Sequence, residues 1–220
     1  ILTWKKEFNY SAINNFAVRE AQGEYLLFLN NDVEIITENW LEEMLQLCQQ
    51  KDVGMVGAKL YYPDDTIQHA GVVVGLGGVA AHVLCKLPRD AEGYMGRLRC
   101  VQEISAVTAA CMMVKTSVFK AVGGFDEELK VAFNDIDLCM KVRKYGVKIV
   151  FTPYAELYHY ESKSRGMEDT PEKQLRFSRE VNCFRRKWER ELLKGDPYYN
   201  PNLTLNNTDC SLRKQEKNGD

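Results

Sequence analysis

Apolar stretches alternate with polar stretches along this chain, in a pattern that predicts strands followed by helices. The clearest stretch is Tyr25–Leu29, an unbroken apolar run that ends at once in the polar tripeptide Asn30-Asn31-Asp32. Unbroken apolar runs of this length are typical of central strands in a parallel sheet, where both faces are buried. We therefore predict a buried central strand here, with polar side chains at its end.

The rest of the chain continues this alternation. Apolar residues recur at helical spacing in several segments, and we predict helices at 10–22, after Thr37, at 116–122, at 135–145 and at 171–194. Apolar runs predict further strands at 53–61, 104–114 and 148–152. The glycine-rich segment 70–78 predicts β structure with flexible turns, and the polar segment 84–100 predicts a long loop of the kind that often binds ligands. This order predicts an α/β fold with a mostly parallel sheet and flanking helices.

The polar tripeptide at 30–32 has two interpretations. In open α/β sheets, ligands bind at the carboxyl ends of the strands, so these side chains would lie at the mouth of a crevice. Asn and Asp are also common in turns, where their side chains bond to nearby backbone groups. The ten residues around the tripeptide fit either interpretation.

Composition narrows the class of protein. The chain has 220 residues, 45% of them hydrophobic, and a net charge of −2, which argues against a surface for nucleic acids. Its seven cysteines are scattered without a CxxC pair, a pattern that favours free thiols in the reducing cytoplasm. No apolar stretch approaches the roughly eighteen residues that a membrane span needs. The chain opens on Ile1 within what resembles a strand, so we expect it to be a piece of a longer protein.

The segment 171–194 is rich in arginine and has an apolar side. Such a helix could lie on an anionic membrane that holds lipid-linked acceptors, which would make the protein peripheral at the inner face of the membrane. The alternative is a helix that packs on its own domain and keeps its basic face in solvent. We divide the chain into a domain at 1–170, a helical extension at 171–205 and a polar tail at 206–220 that we expect to be disordered.

Several blocks, in this order and spacing, resemble the nucleotide-sugar-dependent glycosyltransferases of family 2, which have the GT-A fold. The blocks lie at 8–15, 23–32, 123–127, 133–139 and 159–166. The segment 196–203 is similar to rhamnosyltransferase-like bacterial members. The resemblance implies a GT-A-like (Rossmann-like) domain that transfers a sugar, with inversion, from a nucleotide-diphosphate sugar to a glycan or lipid-linked acceptor in cell-surface polysaccharide synthesis.

The resemblance also implies that something is missing. Family members begin with a strand-helix-strand unit that holds the base of the nucleotide, and this chain starts after it. We therefore expect the chain to bind free nucleotide weakly. An exposed strand edge would remain, and self-association could cover it.

The same resemblance assigns a set of residues to the donor and its metal. It implies donor binding by Asn15, Asn30, Asn31, Asp32, Ala109 and Ala110, and metal binding by Asp32 and His159. Mg²⁺ or Mn²⁺ would neutralise charge on the diphosphate, and an imidazole ligand favours Mn²⁺. Asn30 stands where the family has a carboxylate. Without the resemblance we would favour a structural role for His159, because His69 and His82 offer it no partner at ligand spacing.

Asp135 matches the general base of the family, the group that takes the proton from the attacking acceptor hydroxyl. The resemblance also places Asn134, Ser164 and Arg165 near the acceptor or phosphate. Asn134 is expected to cap the following helix, and Asp137 to serve the helix start. The alternative to a catalytic role for Asp135 is the helix-start role that is expected of Asp137.

Two other functions stay open at this point. A nucleotidyltransferase would also use carboxylates and Mg²⁺, but it would need Lys or Arg clamps near the transferred phosphate, and none lies beside Asp32 in the sequence. A non-catalytic binding module, or an inactive part of a larger transferase, needs no base. Asp32, Asp135 and His159 together favour the glycosyltransferase.

Overall fold

Helices and strands alternate through residues 1–160 and 170–214, the part of the chain that our computed structural model describes. The helices are α1 (Tyr10–Glu20), α2 (Trp40–Cys48), α3 (Thr116–Ala121), α4 (Asn134–Tyr145) and α5 (Pro171–Lys194). The strands are β1 (Tyr25–Leu29), β2 (Val33–Ile35), β3 (Val53–Tyr61), β4 (Ile67–His69), β5 (Val72–Val74), β6 (Ala80–His82), β7 (Gln102–Glu103), β8 (Cys111–Lys115) and β9 (Lys148–His159).

One sheet organises the molecule, and its strand order is β1-β8-β3-β9-β2, with β4 beside β3 and β7 beside β9. The two longest strands, β3 and β9, pair in parallel, and the other pairs are antiparallel. As a result β1, β3 and β9 run in the same direction. The predicted α/β class is confirmed, and the parallel pair of the described sheet is formed by β3 and β9.

The position of β1 differs from the prediction. Within the described residues β1 is an edge strand whose sheet partner is β8, and the pair is antiparallel, so the prediction of a central strand is wrong. The burial of β1 alternates, with Leu26 and Phe28 buried and Leu29 exposed. An apolar run cannot distinguish a strand that has partners on both edges from a strand that has a partner on one edge alone.

The predicted strand at 104–114 is shorter than expected, because only Cys111–Lys115 form β8. Residues 104–110 instead form a loop that lies against the middle of β3. Its Val107 is so close to Gly57 that a Cβ on the glycine would lie 2.3 Å from a methyl carbon of Val107. Real Cβ atoms do not approach other atoms so closely, so glycine is required at position 57 for this loop to lie flat on the sheet.

Side chains that alternate along the strands fill two cores, one on each face of the sheet. On one face α2 contributes Trp40, Met44 and Cys48, which pack on alternate residues of β3 such as Val56. The other core is larger and takes in side chains from α1, α3, α4 and α5. Three layers result, with the central sheet between helices.

The C-terminal helix α5 belongs to the larger core. Its Phe184 and Trp188 are buried, which matches the alternative in which the helix packs on its own domain. On the basic side, Arg185 donates to the backbone oxygen of Gly78, so that arginine also contacts the domain. Among the described residues, no helix is long and apolar enough to cross a membrane.

The polar tail is ordered as far as the structure describes it. The amide of Leu84 donates to the oxygen of Thr208 at 2.6 Å, and the amide of Thr204 donates to the oxygen of Ser211 at 2.8 Å. Cys210 is buried in the larger core. The prediction of disorder is therefore wrong for 206–214, because these residues pair with the domain, and residues 215–220 lie outside the described part.

Asn9 caps helix α1 and ties it to a distant turn. Its Oδ1 accepts from the amide of Ala12 at 3.0 Å, and its Nδ2 donates to the oxygen of Glu127 at 2.9 Å. We expect Asn9→Ala to lower the free energy of unfolding by about 1 to 2 kcal/mol, measured by urea denaturation. Asn39→Ala is the matched control, since Asn39 precedes α2 without a side-chain cap bond. Equal losses in both variants would contradict the capping argument.

Candidate active site

A cavity of about 580 Å³ lies where the end of β1, the loop before β8 and the start of α4 meet. Most of the predicted site residues line it, namely Asn30, Asn31, Asp32, Ala109, Ala110, Asn134, Asp135 and His159. The lining is completed by residues that sequence reasoning did not assign to the site: Phe8, Tyr10, Leu29, Thr108 and Val131. Side chains far apart in the sequence thus converge on one space.

The tripeptide after β1 is both a turn and part of this cavity, so its two interpretations are compatible. The amide of Asn30 donates to the oxygen of Ala110 at 3.0 Å, and the oxygen of Asp32 accepts from the amide of Tyr160 at 2.8 Å. The turn is therefore held between the loop before β8 and the end of β9. These bonds fix the backbone that carries the predicted metal ligand.

Asp32 and His159 lie side by side, with Oδ1 of Asp32 3.2 Å from Nε2 of His159. Both are largely buried, with side-chain exposures of 15% and 11%. Oδ1 of Asp32 is buried and has no hydrogen-bond partner. A buried carboxylate oxygen without a hydrogen-bond donor is costly, so this atom is suited to a cation.

Gln68 orients the imidazole of His159. Its Nε2 donates to the backbone oxygen of His159 at 3.2 Å, which turns its Oε1 toward Nδ1 of the ring at 2.7 Å. Nδ1 is then the protonated nitrogen, and Nε2 accepts from the side-chain Nδ2 of Asn30 at 3.1 Å and faces Oδ1 of Asp32. Histidines that bind metals are commonly oriented in this way by a second residue. No sequence signal identifies Gln68, because the contact spans 91 residues.

The two side chains fit a divalent cation that is shared with a substrate. No cluster of three or more His, Cys, Asp and Glu side chains within 1–160 and 170–214 could hold a metal. Mg²⁺ and Mn²⁺ sites in enzymes that use nucleotides often contain one or two protein ligands, with substrate phosphates and water in the other positions. The pair formed by Asp32 and His159 has this character.

Asp135 lies in the first turn of α4 with both carboxylate oxygens anchored. Oδ2 accepts from the amide of Ala109 at 3.2 Å, and Oδ1 accepts from the amide of Ile136 at 2.8 Å. The backbone oxygen of the next residue, Ala110, accepts from the amide of Asn30. Ala109 and Ala110 therefore connect Asp135 to the turn that carries Asp32.

The predicted capping role of Asn134 is wrong. The N-cap position is occupied by Phe133, which has a left-handed backbone with φ of 61°, and Asn134 is the first residue of the helix. Its Nδ2 donates back to the oxygen of Val131 at 3.0 Å. The helix starts one residue earlier than a capping asparagine requires because Phe133 adopts this conformation.

Asp137 has contacts beyond the start of its own helix. It is fully buried, and its Oδ1 accepts from Nε1 of Trp188 and from Nζ of Lys187, each at 2.8 Å. Nζ of Lys141 lies 3.3 Å from Oδ2. Asp137 therefore joins α4 to α5, whereas Asp135 faces the cavity, so the two acids make separate contacts as expected from their spacing.

Tyr10 supports the cavity wall from α1. Its hydroxyl donates to the oxygen of Ala109 at 3.2 Å. Burial raises the pKa of this hydroxyl, and the nearby Asp135 carboxylate raises it further. Tyr10 is therefore a neutral donor at physiological pH. Tyr10 falls within the family-like block at 8–15, and this block is the sequence feature that could have indicated its place in the site.

Asn15 does not line the cavity, so its predicted donor role gains no support from the structure. Its Oδ1 accepts from the amide of Phe125 at 3.0 Å, and its Nδ2 donates to the oxygen of Phe125 at 3.0 Å. Both ends of the amide thus hold the turn after α3 against α1. Ser164 and Arg165 lie outside the described residues.

The other two histidines contact each other, which their sequence spacing did not indicate. Nδ1 of His69 lies 3.0 Å from Nδ1 of His82, and Nε2 of His69 accepts from the amide of Thr108 at 3.4 Å. Burial, and then the neighbouring His82, hold the pKa of His69 well below its usual range. His69 is therefore a neutral support for the loop that lines the cavity.

Comparison with known proteins places the chain in a family. A family model described as a glycosyltransferase-like family matches residues 1–180. The chain belongs to this family, and the resemblance to family 2 glycosyltransferases is confirmed.

Two curated relatives are similar over nearly the whole chain. The chain is 56% identical over 213 residues to uncharacterized protein y4gI of Sinorhizobium fredii, and 42% identical over 220 residues to the O-antigen biosynthesis protein RfbC of Myxococcus xanthus. These matches cover 96% and 100% of this chain but 23% and 17% of the relatives. The chain thus spans about a fifth of the length of the curated relatives it matches.

Solved structures show the fold. The structure of GalNAc-T7 with UDP, GalNAc and Mn²⁺ matches with a TM-score of 0.61 and 13% sequence identity, over 86% of this chain and 36% of that chain. At this identity the likeness concerns the fold alone. The chain has a GT-A-like fold, as predicted.

Proposed function

We propose that this chain carries the catalytic site of an inverting glycosyltransferase that takes a sugar from a nucleotide-diphosphate donor. The observation that supports this proposal is the convergence of Asp135 and the Asp32–His159 pair on one cavity. An enzyme of this class needs a base for the acceptor and a site for the charged leaving group. The cavity contains candidates for both.

Asp135 acts as the base in this proposal. As the acceptor oxygen forms its bond to the anomeric carbon, the carboxylate takes the hydroxyl proton, and the bond from that carbon to the diphosphate breaks on the opposite side. Inversion follows from this single displacement. Backbone amides do not give up their proton. The hydrogen bonds from Ala109 and Ile136 therefore hold the carboxylate in place without protonating it.

The leaving group is assigned to the Asp32 side of the cavity. Asp32 and His159 would hold Mg²⁺ or Mn²⁺, which would supply positive charge to the departing diphosphate. Gln68 keeps the imidazole oriented, and Asn30 and Asn31 place amide groups near the donor. Ala109 and Ala110 contribute a small, close wall for the sugar-nucleotide.

Two rival functions have less support. A nucleotidyltransferase needs cationic clamps on the transferred phosphate, and none of the described residues that line the cavity is Lys or Arg. A binding module without catalysis would not need a carboxylate anchored by two amides at the cavity wall.

Assays of the full-length protein test the function. With Mn²⁺ or Mg²⁺ present, we expect release of UDP, dTDP or GDP from one class of nucleotide-sugar, and loss of that release when EDTA is added. Release of pyrophosphate from a nucleoside triphosphate and sugar phosphate would instead identify a nucleotidyltransferase. Absence of turnover with every donor, together with retained glycan binding, would support the binding module and contradict the proposal.

The surroundings of the enzyme form part of the same proposal. We assign it to the cytoplasm, at the inner face of the membrane, with a glycan or lipid-linked acceptor for cell-surface polysaccharide. Exposed Arg179 and Arg186 on α5 would contact anionic lipid. The exposed edge of β1 is the surface that we assign to self-association.

A further inference from the structure

The C-terminal helix reaches the segment that leads into Asp135. Glu180 of α5 is 3% exposed, and its two carboxylate oxygens accept from the amides of Val131 and Ala132, each at 3.0 Å. These two residues lie just before the start of α4. A carboxylate thus holds consecutive backbone amides of a segment that is 48 residues or more away in sequence.

The held segment is short and conformationally constrained. After Ala132 comes Phe133, whose φ of 61° is unfavourable for a residue with a side chain. The ring of Phe133 lies 5.7 Å from that of Phe177 and 5.4 Å from that of Phe184, both on α5. Aromatic contacts and the Glu180 bonds therefore maintain this backbone from the same helix. Relaxation of the segment would move the first turn of α4.

Burial makes the Glu180 contact strong. Hydrogen bonds from neutral amides to a carboxylate are about twice as strong as bonds between neutral groups. Nε of Arg176 lies 3.7 Å from Oε2 of Glu180 and offsets part of its charge. Deletion of the carboxylate would leave two partly buried amides to find other partners, which costs stability.

We propose that Glu180 is a positioning residue for Asp135. It holds the amides of Val131 and Ala132, which fixes the left-handed turn at Phe133 and hence the direction of the Asp135 carboxylate toward the cavity. This inference rests on the proposed function, because it assumes that Asp135 is the base. In this arrangement α5 supports the catalytic residue from outside the cavity, because Glu180 does not line it.

Glu180→Gln in the full-length protein tests the proposal. The amide keeps one acceptor oxygen and loses the other, so one of the two bonds is lost. We expect kcat to fall at least tenfold while the donor KM and the Mn²⁺ affinity change less than twofold, since small displacements of a catalytic group have large effects on rate. Glu189→Gln is the matched control, because Glu189 is an exposed glutamate on the same helix, and it should leave kcat unchanged.

A double-mutant cycle separates positioning from a general loss of stability. In the Asp135→Asn background, Glu180→Gln should have no further effect on the residual turnover, because the base it positions is gone. Amide hydrogen exchange should also show faster exchange at Val131 and Ala132 in Glu180→Gln, with the exchange of β3 and β9 unchanged.

Several results would overturn the proposal. One is a kcat for Glu180→Gln within twofold of wild type, and another is an equal loss of turnover in both backgrounds of the cycle. Unchanged exchange at Val131 and Ala132 would also reject it. Failure of the proposed function would be recognised separately, as an inactive wild-type protein in which Glu180→Gln still accelerates exchange at these two amides.

Discussion

Asp135→Asn is expected to lower the turnover of the full-length enzyme by about two to four orders of magnitude, the usual contribution of a positioned general base. Asparagine is nearly isosteric with aspartate, but it cannot accept the proton of the acceptor hydroxyl. The donor KM should stay close to that of wild type, because Asp135 acts on the acceptor.

Folding of this variant can be checked independently. Asparagine keeps one oxygen for the amides of Ala109 and Ile136 and loses the other, so we expect a loss of about 1 kcal/mol of unfolding free energy. Urea denaturation and steady-state kinetics on the same preparation measure both quantities. Turnover within a few-fold of wild type, or a variant that does not fold, would remove Asp135 from the role of base.

For Asp32→Asn we expect a loss of Mn²⁺ affinity of about a hundredfold and a comparable fall in turnover. The carboxylate oxygen next to His159 is buried without a hydrogen-bond partner, and an amide in its place supplies no negative charge for a cation. The apo protein should gain stability or stay unchanged, because the buried charge is removed. A metal ligand differs in this respect from a structural carboxylate, whose loss destabilises the protein.

Calorimetric titration with Mn²⁺, in the presence of the nucleoside diphosphate that the donor assay identifies, measures the affinity. Glu34→Gln is the matched control, since Glu34 is a carboxylate two residues away that bonds to Tyr160 and does not line the cavity. Equal Mn²⁺ affinity in wild type and Asp32→Asn would show that the metal, if required, binds elsewhere.

Local sequence patterns predicted the elements well because periodicity and stop signals are local properties. The helices and the strands β1 and β3 lie where expected, and the polar residues after β1 line the cavity. β8 covers only part of its predicted range, β9 continues past Thr152 to His159, and the described residues at the start of the chain do not form the expected strand. The short strands β2, β4, β6 and β7 were not predicted. The order of the strands in the sheet could not be predicted in this way. The edge position of β1 and its antiparallel pairing with β8 depend on contacts between segments about 85 residues apart, which an apolar run does not encode.

The differences between the expected and the observed contacts of the site residues have the same origin. Asn134 has the residue type of a cap, but Phe133 takes the cap position because rings on α5 pack against it. Asn15 lies in a family-like block, yet a turn more than a hundred residues away takes both ends of its amide. No local sequence pattern indicates the role of Gln68. In each case a partner distant in sequence determines what the side chain does.

Helix α5 also decides where this domain can be cut. The family match ends at residue 180, in the middle of the helix, whereas Phe184, Trp188 and Cys210 belong to the core. A protein shortened to the matched segment would leave the buried Asp137 without Trp188 and Lys187, the two donors to its Oδ1. The unit that folds therefore extends at least to Leu212, which pairs with Leu203, and exchanges of this domain between relatives should place their junction beyond it.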